Sequence, residues 1–417
     1  MPEQKSTETG ISYFTPNHGK NESHLKVPES FKLHICPSAC GRRFAIHALM
    51  NGDKGFVSCL HITETDIVSG HYEDIISEAI DDLLAELTWK PKAFILYFHC
   101  IDDFLGTDER ALVKRLRAQY PFLHFAVCHM DPIAMEAKIL PGMRIHSQIY
   151  GLLEYTGKKS NSVNFIGNRV PVDPESELFR VLSGWGIEQE YQRIDRKTFD
   201  EFLKMADSRL NLVLNPMAKF AAQNMAVKLD IPYLANLVSY DIDDIVRSYQ
   251  EIAGRLGKTC PDFGEEIELT RQSIRNTREH IGNMPVIVDS AATCLPFGMA
   301  KALCRYGFNV QAVFYIRMLE DDWDNRRWME SHYPQIPAVI SQNYELMLNS
   351  GFGRECLAIG YESGYILQAD HFLDMQHDES FYGFHGVRKL MRLMCEAHDT
   401  IADWERIKEA DKELKRL

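Results

Sequence analysis

The chain has 417 residues, of which 45% are apolar and 25% charged, and its formal net charge is −13. This composition is typical of a globular protein and excludes extended disorder, while the length favours more than one domain. The acidic balance, without a basic tract, argues against nucleic acid and anionic membrane surfaces as partners. No stretch reaches 18 apolar residues and the N-terminus lacks a secretory signal, so we expect a cytoplasmic protein.

Strand-like apolar runs alternate with helical patterns from about residue 31, after a polar arm at residues 1–30. The first set has predicted strands at 55–60, 92–100 and 122–128 and predicted helices at 71–87 and 108–120. The helices carry apolar residues at helical spacing and begin with acidic turns, which suit the positive end of the helix dipole. Strands that alternate with helices predict βαβ units and therefore a parallel sheet.

This pattern begins again twice along the chain. The second set has predicted strands at 162–170, 187–193 and 210–214, helices at 197–205 and 217–229, and a long helical stretch at 240–282. The third has predicted strands at 285–289, 308–316, 337–341 and 355–360, and a last helix at about 399–417. The sequence therefore predicts an α/β protein with three Rossmann-like, doubly wound lobes built on parallel sheets, at residues 31–158, 159–283 and 284–417.

Ten cysteines in a chain without an export signal are expected to be thiols or metal ligands rather than disulfides. Cys36 and Cys40 lie four positions apart in HICPSACGRRF, a segment that we expect to form a loop. Clustered soft thiolates are suited to an iron–sulfur cluster or to zinc. The alternative is a pair of small residues buried in a turn.

Two further cysteines, Cys59 and Cys100, close predicted strands. Because the carboxyl ends of parallel strands face one ligand crevice, we expect both to converge with the loop cysteine Cys36 on one point. Cys128 also ends a strand, and we favour a buried thiol over a fourth contributor. The other five cysteines are expected to pack in the core. Cys294 and Cys304 lie in a predicted helix, and the remaining three are Cys260, Cys356 and Cys395.

Several common catalytic motifs do not occur in the sequence. No G-x-x-x-x-G-K-[ST] loop is present, which argues against ATP hydrolysis by this chain. No G-x-G-x-x-G follows the first strand of any lobe, which argues against a tightly bound dinucleotide. Hydrolase motifs such as G-x-S-x-G and H-E-x-x-H are also absent.

In the order of these features the chain resembles the component-one family of nitrogenases, which includes nitrogenase subunits, their cofactor-assembly scaffolds, the dark-operative protochlorophyllide and chlorophyllide reductases, and the nickel-sirohydrochlorin reductive cyclase. The segments VNFIGNRV, LNLVLNPMAKFAAQNMAVKLDIPYL and FYGFHGVRKLMRLM carry the resemblance together with Cys36, Cys59 and Cys100. The resemblance implies three Rossmann-like lobes and an iron–sulfur cluster of the 4Fe-4S type, held by these three cysteines at a subunit interface.

The chain departs from the family's nitrogenase members at one position. Where the subunit that holds the catalytic metal cofactor has a ligating cysteine, this chain has Asn215. The histidine ligand of that cofactor would fall near residues 371–378, where His371 and His377 are available. Without the thiolate we expect no nitrogenase-type molybdenum–iron cofactor, and Asn215 is expected either to line a substrate cleft or to satisfy the turn before Pro216. Cys40 lies outside the three-cysteine pattern and is a spare thiol or an alternative ligand.

The resemblance also implies how such a subunit works. It would receive electrons from a separate ATP-dependent iron–sulfur reductase similar to the nitrogenase iron protein. It would then reduce an unsaturated small molecule, tetrapyrrole-like or other, in a cleft between lobes. Three thiolates leave a four-iron cluster one ligand short, and the fourth would come from Cys40, a neighbouring subunit or a small ligand. We expect a dimer, with a second copy or a paralogous subunit beside each cluster.

Proton donors are needed alongside electrons, and the predicted strand ends offer His129, Asp131, Glu362 and His371. Asp102 and Asp103, directly after Cys100, are expected to cap the following turn or to tune the cluster environment. Two other functions stay open from the sequence. One is a non-catalytic scaffold for metal-cluster assembly, and the other is a metal-free doubly wound enzyme whose cysteines are all structural.

Overall fold

The computed structural model describes residues 25–50, 52–130, 138–343, 345–348 and 352–408. These residues form three separate sheets in which every strand pair is parallel, and helices connect the strands. The predicted α/β architecture of three doubly wound lobes with parallel sheets is therefore confirmed. The exact lobe boundaries remain a prediction.

Lobe 1 is built on a four-stranded sheet in the order β2-β1-β3-β4. Its strands are β1 (Ser30–Cys36), β2 (Val57–His61), β3 (Ala93–His99) and β4 (His124–Met130). Its helices are α1 (Ser38–Met50), α2 (Glu64–Val68), α3 (Asp74–Glu86), α4 (Cys100–Leu105), α5 (Glu109–Gln119) and α6 (Pro141–Tyr150).

Strand β1 lies in the middle of this sheet, although no strand was predicted there. All seven of its residues are buried, including the polar residues Lys32 and His34. These two residues interrupt the apolar run by which a buried strand is recognised in a sequence. The expectation of a loop around Cys36 was therefore wrong, because Cys36 is the last residue of a central strand.

Lobe 2 has the sheet order β6-β5-β7-β8. Its strands are β5 (Ser162–Ile166), β6 (Gln189–Gln192), β7 (Leu210–Val213) and β8 (Tyr233–Ala235). Its helices are α7 (Glu177–Gly184), α8 (Phe199–Leu203), α9 (Lys219–Leu229), α10 (Ile242–Leu256) and α11 (Gly264–Ile281). The long helical stretch predicted at 240–282 is thus two helices with a break at residues 257–263.

Lobe 3 has the sheet order β11-β10-β9-β12-β13. Its strands are β9 (Pro285–Asp289), β10 (Asn309–Tyr315), β11 (Ala338–Ile340), β12 (Leu357–Ile359) and β13 (His371–Leu373). Its helices are α12 (Pro296–Arg305), α13 (Trp323–His332), α14 (Glu345–Leu348), α15 (Tyr361–Leu367) and α16 (Gly383–His398). Of the predicted final helix at 399–417, residues 399–403 are not helical, residues 404–408 are helical, and residues 409–417 lie outside the described residues.

Shared hydrophobic cores join the lobes. One core combines buried residues of lobes 2 and 3, and a second combines lobes 1 and 2. Leu25 and Val27, at the end of the predicted arm, are buried in the second core. None of the described helices is both long and apolar enough to cross a lipid bilayer.

In each lobe the strand order reverses between two neighbouring strands, and ligands of doubly wound sheets bind at the carboxyl edge of that point. The reversal lies between β1 and β3 in lobe 1, between β5 and β7 in lobe 2, and between β9 and β12 in lobe 3. These three edges are therefore where functional residues are expected.

Candidate metal centre and cleft

The thiols of lobe 1 meet at the carboxyl edge of its sheet. Cys36 ends β1 and Cys59 lies on the neighbouring strand β2, in the register that pairs Cys36 with His61 and His34 with Cys59. Since alternate residues of a strand point to the same face, the Cys36 and Cys59 side chains share one face of the sheet. Helix α1 packs on these strands and carries Cys40 in its first turn.

The Cys36 and Cys59 thiols are directly coupled. Cys36 donates a hydrogen bond to Cys59, which raises the pKa of Cys36, and burial raises it further. Accepting that bond lowers the pKa of Cys59. A negative charge on Cys40 would also raise the pKa of Cys36, so the three sulfur atoms lie within electrostatic reach of one another. The pair therefore releases its first proton more easily than an ordinary thiol.

Gly41 allows helix α1 to lie close to these thiols. A Cβ atom at position 41 would lie 3.4 Å from the Cys36 sulfur and 3.0 Å from Nε2 of His61. The Cys59 thiol is 3.6 Å from the Gly41 carbonyl oxygen. A side chain at position 41 would therefore crowd both a thiol and an imidazole. The donor chemistry of the clustered thiols fits a metal–sulfur group.

Cys100 follows β3 directly and begins helix α4, so its backbone is at the carboxyl edge next to β1. Its side chain, like that of Asp103, lies outside the described part of the structure. Asp102 is buried and accepts hydrogen bonds from Tyr72 (2.8 Å) and Thr107. Both partners are side-chain hydroxyls rather than backbone N–H groups of the turn, so these contacts are not the cap predicted for Asp102, and its influence on a cluster stays a prediction.

Cys128 lies on β4, paired with Tyr97 of β3, and is fully buried in the core between lobes 1 and 2. Burial raises the pKa of its thiol. A buried, protonated thiol is the role favoured from the sequence, and the geometry of Cys128 agrees with it.

Behind the thiols two buried histidines form an aromatic layer. His34 is stacked between Phe44 and Tyr97, with ring centroids 4.2 and 4.7 Å away. Its Nδ1 atom is 3.3 Å from Nε2 of His99. Burial lowers the pKa of His99 to about 4, so this imidazole is neutral at physiological pH.

A cleft opens where the carboxyl edges of lobes 2 and 3 face each other. Its volume is about 170 Å³. Its walls come from the segments that follow β5, β9, β10, β12 and β13, and they include Arg169, Cys294, Glu362, His377, Asp378 and Glu379. The two strand-order reversals thus contribute to a single cleft.

Asn215 is placed at the lobe 2 side of this cleft, directly after β7. Its Oδ1 accepts a hydrogen bond from the backbone N–H of Met217 at 3.0 Å, so it caps the turn that contains Pro216. Because Oδ1 is used in this way, Nδ2 faces Glu379 Oε1 at 2.8 Å and the Cys294 sulfur at 3.4 Å. Of the two alternatives considered for Asn215, the geometry agrees with the turn, while Asn215 contacts two cleft-lining residues without being one of the residues that line the cleft.

Two adjacent carboxyl groups, Asp378 and Glu379, lie at the bottom of the cleft and are 6% and 1% exposed. Burial and the neighbouring Glu379 raise the pKa of Asp378 to about 7. Burial also raises the pKa of Glu379, against the opposing effects of Asn215 and Arg169. The Cys294 thiol, buried next to both acids, has its pKa raised to about 12.

Of the four predicted proton donors, only Glu362 lines this cleft among the described residues. It stands in the first turn of α15, which is fixed because Ser363 donates two hydrogen bonds to Asp289 at the end of β9, of 2.7 and 2.6 Å. Burial raises the pKa of Asp289 to about 7.

The other predicted donors are elsewhere. His129 of lobe 1 lies 2.7 Å from Glu109 and is stacked on Phe98. His371 begins β13 and hydrogen-bonds the carbonyl of Ala397. Asp131 lies outside the described residues.

Sequence reasoning missed Cys294, Asp378, Glu379 and Arg169 as cleft residues. Cys294 was placed in a helix, but α12 begins only at Pro296, so Cys294 lies in the loop after β9. The expectation of core packing for Cys294 was therefore incomplete, since it also lines the cleft. One signal was available for the acids: two adjacent carboxyl groups follow directly on His377.

Comparison with known proteins gives a match over most of the chain. The family model for nitrogenase component 1 type oxidoreductases matches residues 33–399. A search of curated protein sequences found no significant match. A solved structure of nitrogenase Cp1 at pH 6.5 is 14% identical with a TM-score of 0.70, covering 90% of this chain and 91% of that chain. A structure of nitrogenase Cp1 at pH 5 is 14% identical with a TM-score of 0.60, covering 89% and 85%. At this identity both share the fold with the chain.

Proposed function

Since the chain belongs to the nitrogenase component 1 type oxidoreductases, we propose that it is a nitrogenase-like reductase subunit that carries an iron–sulfur cluster in lobe 1 and reduces a small unsaturated molecule in the cleft. It is an oxidoreductase by family, and the proposal concerns its cofactor, partner and substrate. Its electrons would come from an ATP-dependent iron–sulfur reductase similar to the nitrogenase iron protein. The lack of a phosphate-binding loop in the sequence supports this division of labour.

The observation that carries the proposal is the pair of thiols, Cys36 and Cys59, on one face at the carboxyl edge of lobe 1, with Cys40 on the helix that packs against them. Together with Cys100 these residues would hold a cluster, which we propose to be of the 4Fe-4S type. Such a group supplies reversible one-electron chemistry. The protein's own part is to offer soft thiolates from two neighbouring strands and the following helix, and to keep His34 and His99 buried behind them.

The fourth ligand of the proposed cluster could come from this chain or from a partner subunit. Cys40, on the first turn of α1, is available from the same lobe. Strand β2 is at the edge of its sheet and is only partly buried, which leaves this side of the thiol site accessible to a second subunit. We propose that the functional unit is a dimer, with a second copy or a paralogous chain against this edge.

The cleft supports an organic substrate rather than a nitrogenase-type metal cofactor. Asn215 offers an amide where a thiolate would be needed, and its oxygen and nitrogen are both occupied by hydrogen bonds. We therefore propose that the protein contains no molybdenum–iron cofactor and does not reduce dinitrogen. A cleft with buried acids also favours a reductase over the alternative of a cluster-assembly scaffold.

The proposal is tested on protein purified without oxygen, by measuring iron, sulfide and the visible absorption. We expect about four iron atoms per site and a brown colour. Cys36→Ser, Cys59→Ser and Cys100→Ser should each lose most of the iron and the absorption. Cys304→Ser is the matched control, because Cys304 is a buried thiol in α12 of lobe 3 and should change neither. An unchanged iron content in all three cysteine variants would refute the assignment of these residues as cluster ligands.

The partner is tested by mixing the loaded protein with an ATP-dependent iron–sulfur reductase. Its visible absorption should change on reduction only when MgATP is present. Light scattering should show a dimer, and a monomer with its iron intact would contradict the proposed interface.

A further inference from the structure

We propose that Asp378 and Glu379 form the proton-donating pair of the cleft and that Oε2 of Glu379 is the atom that meets the substrate. This inference rests on the proposed function, from which the electrons and the presence of a substrate follow. Neither acid was among the proton donors predicted from the sequence.

Geometry singles out Glu379. Its Oε1 is fixed by the Asn215 amide, whose orientation is set in turn by the Met217 cap. Its Oε2 is buried and makes no close hydrogen bond among the described residues, although the side chain lines the cavity and the Arg169 backbone N–H is near enough to the carboxyl group to favour its ionised form. A buried carboxyl oxygen without a close hydrogen bond costs free energy, so it requires a compensating role. A ligand in the cavity that accepts a proton or a hydrogen bond at this oxygen would supply that role.

Asp378 is held on the other side of the pair. The Tyr240 hydroxyl, itself 2% exposed, lies 3.4 Å from Asp378 Oδ2. Thr293 provides a second hydrogen bond to the same carboxyl group. Both Asp378 and Thr293 line the cavity, so this acid also has access to a bound molecule. Two adjacent buried acids cannot both ionise without strong repulsion, which keeps protons on the pair.

The surroundings of the pair favour the neutral form of at least one acid. The titratable and charged groups that face it from the neighbouring elements are Arg169, Tyr240, Cys294, His146, His377 and Glu362. Arg169 is the cation that favours ionised Glu379, whereas burial opposes it as the larger effect. His146 is fully buried and its pKa is lowered to about 3, so it does not add a positive charge. The raised pKa of Asp378, about 7, is suited to donation near neutral pH.

The chemical step balances with two protons and two electrons. The reductase partner supplies two electrons, one at a time, to a double bond of the bound molecule. Asp378 and Glu379 each release one proton to that bond, which becomes a single bond with two new hydrogens. The protons leave one at a time, each with one electron: the acid that donates first is reprotonated from water before the second acid donates, so the pair is never doubly ionised. The second acid is reprotonated from water before the next cycle.

The cleft limits the part of the substrate that reaches the acids. Its volume among the described residues is about 170 Å³, similar to an engineered cavity of about 150 Å³ that holds benzene. Because the cleft is half open to solvent, we infer that one ring-sized, reducible part of the substrate enters it while the rest of the molecule can extend outside. The part that enters should carry a heteroatom next to the reducible bond, to accept from Glu379 Oε2.

The test uses infrared spectroscopy of the purified full-length protein, with imidazole as a probe that fits the cavity and accepts a proton. On titration from pH 5 to pH 9, the protonated carboxyl absorption of Asp378 should fall around pH 7, and that of Glu379 at a pH above the ordinary range of a glutamate. Asp378→Asn and Glu379→Gln should each remove one component. At a pH where the Glu379 component is still present, imidazole should convert it to carboxylate, and Glu379→Gln should abolish this change completely.

Asp322 is the matched control for a purely structural acid. It is 1% exposed with its pKa raised to about 7 by burial, but it caps α12 through Phe297 and Gly298. The infrared band of the Asp322 carboxyl group is assigned by its loss in Asp322→Asn. This band should titrate in the same pH range but should not change when imidazole is added. Carboxyl groups already ionised at pH 6, or an imidazole response equal in Glu379→Gln and wild type, would overturn the proposal.

Two further measurements keep the outcomes distinct. Glu379→Asp keeps an acid in the cleft and should retain the titration with a changed imidazole response, which shows that loss in Glu379→Gln is not misfolding. Iron content is measured on the same samples. Normal iron with ionised acids refutes this inference alone, whereas titrating acids in a protein that binds no iron refute the proposed function.

Discussion

A buried carboxylate, Glu177, ties lobe 2 to the helix that follows the acid pair, and changing it to glutamine should loosen the cleft. Glu177 begins α7 and is 5% exposed. Its Oε1 accepts hydrogen bonds from the Phe384 N–H (2.7 Å) and the Tyr249 hydroxyl (2.8 Å), and its Oε2 accepts from the His385 N–H (3.0 Å). A negative charge thus sits at the N-terminus of α16, where the helix dipole favours it.

The cost of Glu177→Gln follows from these contacts. The amide oxygen can still accept from Phe384 and Tyr249, but the amide nitrogen then faces the His385 N–H, donor against donor. One charge-assisted hydrogen bond and the charge are lost, for about 2 kcal/mol. Glu177→Ala leaves all three donors without an acceptor and should cost about 4 kcal/mol.

Hydrogen exchange measures this effect locally. In Glu177→Gln the amides at the start of α16 should exchange about 30-fold faster than in wild type, which corresponds to about 2 kcal/mol. The control is Glu188→Gln, the same charge change at an exposed position of lobe 2 just before β6, and it should leave α16 unchanged. Equal protection of α16 in Glu177→Gln and wild type would refute the role of Glu177 as a charged cap.

Three other changes test the same structure. Gly383→Ala should destabilise α16 more than Glu177→Gln does in the exchange experiment, because Gly383 has φ +77° and a Cβ there would overlap the Glu177 carboxylate. Lys32→Met should raise the free energy of unfolding in urea at pH 7 by up to about 3 kcal/mol, since burial lowers the pKa of Lys32 from 10.5 to about 8. This gain should shrink as pH rises from 8 to 10.5, because over that range the folded lysine has lost its proton while the unfolded lysine keeps its own, so the wild type becomes more stable. Lys26→Met, at an exposed position, should show no such gain. Asn215→Ala should cost about 1 kcal/mol in urea through the lost cap while leaving the iron content unchanged, and a loss of iron would contradict the separation of cleft and metal centre.

The sequence by itself determined the architecture. Alternation of apolar runs with helical periodicity predicted three parallel α/β lobes, and one strand, Pro285–Asp289, was predicted with its observed bounds. Periodicity succeeds here because it records which face of a local element is buried. The same logic placed Cys59 and Cys100 near the carboxyl edge of lobe 1, although Cys59 lies within β2 rather than at its end.

Only the tertiary structure decided which residues share a site. Strand β1 was not predicted because Lys32 and His34 are polar, and what buries His34 is stacking by Phe44 and Tyr97 from other elements. Likewise Asn215, Cys294 and Glu379 meet although they are far apart in the chain. Local patterns carry no information about which sheet edges face each other, since that follows from how the lobes pack. The cleft and its acids are products of that packing.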